Sequence, residues 1–184
     1  MGPVTVEAVI STPPEDVFDF VTDYSVRPSY TDHYLKEFRL ANANPLGKGA
    51  AARFVLDAPV FSEHAEIEVV TAERPRRIVE EGRVGRRGRS RYAAEWELIP
   101  EDGGTRVRLT TRWEPKTGID RMRLIGVQGW LKRQSKKSLE RLRRIFEQPS
   151  ENELERATVA GYEPHTAPRF GGRVPVPGKP ASGG

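Results

Sequence analysis

The stretch VEAVISTPPEDVFDFVTDYSVRPSY, residues 6–30, changes its period partway along. Val4, Val6, Ala8 and Ile10 alternate with Thr5, Glu7 and Ser11, the two-residue repeat of a strand with one buried face. Thr12 and Glu15 then give the T-x-x-E spacing of a capping box, with Pro13 at the first helical position. Val17, Phe18, Phe20 and Val21 supply the buried side of the helix that follows. Asp23 to Asp32, interrupted by Pro28, reads as a second short helix or a broken turn. The chain therefore opens a sheet and leaves it for two short helices.

Downstream the pattern returns to strands at hairpin spacing. Tyr34–Leu40 precedes the turn NANPLGKG, Ala51–Leu56 turns at DAP into Phe61–Thr71, and ERPR turns into Ile78–Gly82. Arg91–Ile99, the turn PEDGG and Thr105–Trp113 complete seven strands, six of them consecutive. Such a run predicts an antiparallel meander with one face to cover. The cover is a helix over about 119–147. Leu124, Val127, Leu131, Leu139, Leu142, Ile145 and Phe146 fall on one stripe, with Lys132, Lys136 and Arg143 on the remainder. The fold class is α+β: a curved antiparallel sheet of seven strands around a long C-terminal helix.

With 184 residues the chain has room for one domain and a remainder. Residues 1–148 form the predicted domain. Residues 149–184, rich in Pro and Gly and without a sustained period, are read as a mostly disordered tail, in which Glu151–Ala157 could add a helical turn. Zero cysteines exclude disulfides, thiol catalysis and cysteine-ligated zinc. The start, MGPVTVEAVIS, lacks a basic segment and alternates like a strand, so the expected location is the cytoplasm. A net charge of +4 permits a nucleic acid or anionic membrane partner without demanding one.

The element order, the opening VEAVISTPPEDVFDFVTDYSVRPSY and the closing SKKSLERLRRIFE resemble the helix-grip fold of the START, birch-pollen-allergen and polyketide cyclase/dehydrase superfamily, SRPBCC. The similarity covers residues 3–147. It implies a hydrophobic cavity between sheet and helix that binds a lipid, quinone or polyketide-like aromatic for transport or sequestration. Aromatase/cyclase- or dehydratase-like turnover is the enzymatic alternative. The resemblance brings no catalytic motif and calls for no cofactor.

Strand parity selects the candidate cavity lining. Phe38 and Phe54 come from the second and third strands and Phe61 and Ile67 from the fourth. Tyr92 and Trp96 come from the sixth, and Leu109 and Trp113 from the seventh. A packed core would use the same residues. Gly126 and Gly129 each cost ~1 kcal/mol inside a helix, which suggests close backbone approach, a bend, room for a ligand, or room for a bulky sheet side chain. Met122 and Trp130 lie off the main stripe and could form a lid with Tyr30 and Tyr34. Glu63 and Tyr92 are the candidate acid–base groups. Glu63 could equally be solvated or pair with Arg53, and Arg53 is a further candidate for orienting a ligand.

Arg83, Arg86, Arg87, Arg89 and Arg91 form a flexible cationic segment for anions, RNA, ribosome or membrane, or else a solvated hairpin that discourages edge pairing. His33, His64 and His165 are scattered, so no metal site is expected.

Overall fold

The computed structural model describes residues 2–59, 61–85, 90–116, 127–148 and 157–159. The strands are β1 (Val4–Ile10), β2 (Leu35–Leu40), β3 (Ala51–Ala58), β4 (Phe61–Glu73), β5 (Arg77–Val84), β6 (Ser90–Glu101), β7 (Gly104–Glu114) and β8 (Thr158–Val159). Helix α1 spans Pro14–Thr22, a 3₁₀ turn spans Tyr24–Val26, α2 spans Pro28–Thr31, and α3 spans Val127–Glu147. The sheet order is β1-β7-β6-β5-β4-β3-β2-β8. All neighbours are antiparallel except β2 and β8. The six-stranded meander β2–β7, with β1 added beside β7 to make seven antiparallel strands, and the two inserted helices stand as the alternation predicts.

Two local features differ from the sequence expectation. No side-chain cap forms at α1: Pro13 is the N-cap, with ψ of 148°, and Pro14 is the first helical residue. A residue preceding proline avoids the α region, so the Pro13-Pro14 pair shifts the helix start by one position. The second difference is β8. Ala157 is buried, its N–H donates to Ser25 O at 2.6 Å, and Thr158 and Val159 pair with Arg39 and Leu40. Contacts with the domain thus continue beyond residue 148.

A bulge in β2 serves the core. Glu37 has φ of 51°, and the register against β3 shifts between Lys36 and Arg39. The inserted residue lets Leu35, Phe38 and Leu40 all point inward, which strict alternation would forbid. Elsewhere alternation holds. Ala65, Ile67 and Val69 on β4, Ala94, Trp96 and Leu98 on β6, and Val107, Leu109 and Trp113 on β7 are buried on the concave face.

Helix α3, about 30 Å long, packs most closely against β1 and touches α2. Its buried side is Val127, Trp130, Leu131, Ser135, Ser138, Leu139 and Leu142. Trp130 therefore belongs to the buried stripe, and Tyr34 packs edge-on against it at 6.0 Å. Gly129 does not mark a close approach: an added Cβ would meet only Arg133 Nη1, at 3.9 Å. Met122, Leu124 and Gly126 lie outside the described residues. Among those described, no helix is long and apolar enough to cross a membrane.

Candidate functional site

The core is not uniformly apolar. The 3₁₀ turn starts where Asp23 Oδ1 accepts from Ser25 N at 2.8 Å, and Pro28 opens α2 directly after it. Between them the chain directs Arg27 onto the concave face of the sheet. On β5 the inward set is Ile78, Glu80 and Val84, so a carboxylate occupies a core position in the middle of the sheet. The two meet. Arg27 Nη2 donates to Glu80 Oε2 at 3.0 Å, and Nη1 lies 3.0 Å from Oε1 while donating to Tyr30 Oη at 3.1 Å. The side chains are 4% and 0% exposed.

Aromatic rings enclose the cation. The Arg27 guanidinium carbon stands 4.9 Å from the Trp96 ring centroid, 5.4 Å from that of Tyr30 and 5.6 Å from that of Tyr24. Three ring faces add cation–π attraction where water is excluded. Tyr24 meets Phe38 edge-on at 6.1 Å, and Phe38 stacks on Phe54 at 5.7 Å. Val69 and Ala94 lie opposite Glu80 on β4 and β6, with Tyr92 and Trp96 two residues either side of Ala94.

Burial governs the protonation of these groups. It raises Tyr24 well above its usual value, reinforced by the Glu80 charge, and raises Tyr30 to about 12. It raises Tyr34, and lifts Tyr92 well above its usual value. Burial opposes the Arg27 charge, but Glu80 together with Tyr30, Tyr24 and Tyr34 outweighs it, and Arg27 stands well above its ordinary value. Near neutral pH the cluster holds neutral phenols around a guanidinium–carboxylate pair.

Several polar atoms here lack a hydrogen-bond partner. Arg27 Nε, Trp96 Nε1 and Ser135 Oγ are buried without a partner, whereas Tyr24 Oη interacts with Glu80. Ser138 lies beside Tyr34 on the buried side of α3. Native interiors rarely leave such groups unmatched. Two of them, the donors Arg27 Nε and Trp96 Nε1, belong to the stacked Arg27–Trp96 pair beside Glu80.

The structure gathers some of the predicted site residues and separates others. Tyr30, Tyr92 and Trp96 surround the pair. Tyr34 joins them to Trp130, and Phe38 and Phe54 extend the aromatic wall. Ile67 and Leu109 are buried core. Phe61 packs edge-on against Trp113 at 6.3 Å, at the far end of β4. Glu63, only partly buried, lies there too, six residues along β4 from Val69, the residue opposite Glu80. That is ~20 Å at strand rise. Arg53 is 62% exposed on the outer face and pairs with Glu66 at 3.3 Å, so it does not serve Glu63 or the interior. Phe54 points inward, and Arg53 must therefore point out. Arg27 and Glu80 are absent from the sequence-based candidates, although the parity Ile78, Glu80, Gly82, Val84 marks Glu80 as inward.

The outer face carries shallow mixed-charge depressions. One of 490 Å³ includes Arg39, Arg53, His64, Glu66 and Arg83. Another of 770 Å³ includes Glu68, Glu81, Arg91, Arg112 and Glu114. Arg83 and Arg91 face each other across β5 and β6, whereas Arg86, Arg87 and Arg89 lie outside the described residues. No cluster of three or more potential metal ligands occurs among the described residues.

A model of the family "Polyketide cyclase / dehydrase and lipid transport" matches residues 1–147. Among solved structures, the KanY protein superposes with a TM-score of 0.65 at 19% identity, covering 80% of this chain and 99% of that one. TTHA0849 from Thermus thermophilus gives 0.59 at 26% identity, with 81% and 99% covered. DynU16, from the dynemicin biosynthetic locus, gives 0.56 at 19% identity, with 84% and 49% covered. Among curated proteins no sequence matches.

Proposed function

The chain belongs to the polyketide cyclase / dehydrase and lipid transport family, and we propose that it binds an apolar small molecule between α3 and the concave sheet. The molecule's polar end would be held at the Arg27–Glu80 cluster. The observation that carries this reading is a buried guanidinium–carboxylate pair inside an aromatic wall, where Arg27 Nε and Trp96 Nε1 are donors without an acceptor. Ligand sites combine that type of wall with a few convergent polar groups. Burying about 200 Å² of aromatic surface would contribute roughly 5 kcal/mol, and the cluster would fix orientation.

Native mass spectrometry of gently purified protein, followed by organic extraction, tests the proposal. A bound apolar compound that is lost from a Trp96→Ala, Tyr30→Ala variant supports it. Ligand-free protein that also leaves its tryptophan fluorescence unchanged across a panel of aromatic probes rejects it. Cyclase-like turnover would place its proton donors among the neutral phenols of Tyr24, Tyr30 and Tyr92 rather than at Glu63.

A second reading, docking to an anionic membrane surface, rests on α3 rather than on the arginine loop. The helix carries seven cationic and two acidic residues, in a chain whose net charge is +4. Arg141 pairs with Asp32 and Arg143 with Glu147, while Lys132, Arg133, Lys136, Lys137 and Arg144 form no ion pair among the described residues. Most of these line a 450 Å³ furrow. Trp130 is buried and Phe146, the helix's other aromatic residue, packs edge-on against Phe20 at 5.2 Å, so neither ring offers single-stranded nucleic acid an open stacking face. Salt-sensitive sedimentation with phosphatidylserine vesicles, abolished by K132E/K136E/R144E, is the expected result. Equal sedimentation with neutral vesicles would reject it.

A further inference from the structure

We propose that the convex face of the sheet docks a second copy of this chain, two-fold symmetrically, through two like-charged pairs of opposite sign. The two ends of that face are built differently. At one end Glu73, Arg77, Glu97, Arg108 and Glu7 lie side by side across β4, β5, β6, β7 and β1, alternating in sign. Their charges are matched within the chain. Arg77 lies 3.6 Å from Glu73 and 2.6 Å from Glu95, and Arg108 lies 2.6 Å from Glu7 and 3.3 Å from Glu97. At the other end the alternation fails. Glu68 stands directly opposite Glu81 on β4 and β5, and Arg83 directly opposite Arg91 on β5 and β6. All four are exposed, and none forms an ion pair among the described residues. Like charges so placed are unfavourable in the lone chain.

The pairs form two adjacent poles. Only Gly82 separates Glu81 from Arg83 along β5, which sets the pair centres ~8 Å apart. Arg112, exposed and unpaired, stands diagonal to Arg91 and enlarges the cationic pole, while Glu114, opposite Arg91, forms no ion pair with it. Three arginines less Glu114 give +2, against −2 from Glu68 and Glu81. Glu66 belongs to neither pole, because Arg53 neutralises it at 3.3 Å. Both poles line one 770 Å³ depression, together with the short side chains of Val70 and Ala93. A polyanion drawn to Arg83 and Arg91 would meet Glu68 and Glu81 beside them. A second copy meets no such conflict. Turned about a two-fold axis that lies in the interface midway between the poles, it sets each acidic pole on the other copy's arginines. The exposed residues of the depression are all charged, so the association is weak and governed by salt.

Sedimentation of the full chain over a concentration series up to about 1 mM tests the proposal. A reversible dimer is expected at about 10 mM salt, weakened at least about 10-fold at 1 M, where the screening length falls to about 3 Å. The variants E68K/E81K and R83E/R91E each give both poles one sign, so each alone should be monomeric. Mixed in equal amounts they should form a heterodimer, because every pole again faces its opposite. All four positions are exposed, and circular dichroism and thermal melts confirm that both variants keep the fold. A wild-type chain that stays monomeric at low salt overturns the proposal, as does a dimer that both charge reversals leave intact. A mixture that remains monomeric overturns the paired-pole geometry. Monomeric wild-type protein that binds inorganic phosphate in calorimetry, and loses it in R83E/R91E, makes the face an anion site instead.

Discussion

Glu80, at the centre of β5, holds its carboxylate 3.0 Å from the guanidinium of Arg27, which the turn between α1 and α2 delivers from 53 residues earlier. Removing one member strands the other charge in the core, whereas removing both strands neither. Arg27→Ala or Glu80→Ala should each destabilise the protein by about 3–5 kcal/mol. The double variant Arg27→Met, Glu80→Leu should fall much closer to wild type. Urea denaturation of the three proteins measures this. A double variant as unstable as the singles would show that packing, not the stranded charge, sets the loss.

The phenols around the pair make a pH prediction. Tyr24, Tyr30, Tyr34 and Tyr92 all have raised values, mainly through burial, with Tyr30 at about 12. A group raised in the folded state binds its proton more tightly there than in the unfolded chain. Its stabilisation is full below the unfolded value of 10 and disappears as pH rises through the folded values. At a pH of about 11 the native protein should therefore show well under half the phenolate absorbance of its five tyrosines when unfolded. Five tyrosines titrating together near their ordinary value would contradict the burial.

The meander, the concave-face residues and the helix stripe are legible in the sequence because each follows from a local period. The Arg27–Glu80 pair is not. RRIVEEGRV looks like a charged surface strand, and an inward carboxylate becomes plausible only once a cation is known to face it. That cation arrives from a turn far away in the chain, which no period encodes. Trp130 escapes for a related reason: a strict stripe omits it, yet Tyr34 and the sheet's curvature accommodate its ring. The β2 bulge likewise depends on a positive φ at Glu37 that a non-glycine residue does not advertise.

Two glycines should respond in opposite directions to alanine. At Gly82 an added Cβ would stand 2.2 Å from Glu66 O and 2.7 Å from Ile67 Cγ2, and the backbone atom of β4 cannot yield cheaply. Gly82→Ala should lower stability by about 1–3 kcal/mol through overpacking. At Gly129 the Cβ meets only the end of Arg133, at 3.9 Å. Gly129→Ala should raise stability by up to ~1 kcal/mol from helix propensity. Thermal melts decide both signs. A destabilising Gly129→Ala would restore the idea that this position needs its missing side chain.

The segment at 157–159 bears on the site through one backbone contact. Ala157 N–H donates to Ser25 O at 2.6 Å, and Ser25 sits between Tyr24 and Arg27 in the turn that supplies both. The adjoining β8 also covers the β2 edge at Arg39 and Leu40. Deleting residues 157–184 should cost about 1–2 kcal/mol from the lost hydrogen bonds and Ala157 burial. It should also accelerate amide exchange in 24–27 more than in β6 or β7. Ala157→Pro removes the donated N–H alone and should reproduce the faster exchange in that turn. If the deletion leaves exchange there unchanged, the segment merely caps the sheet edge. If both changes accelerate it, the chain beyond α3 helps to hold Arg27 against Glu80.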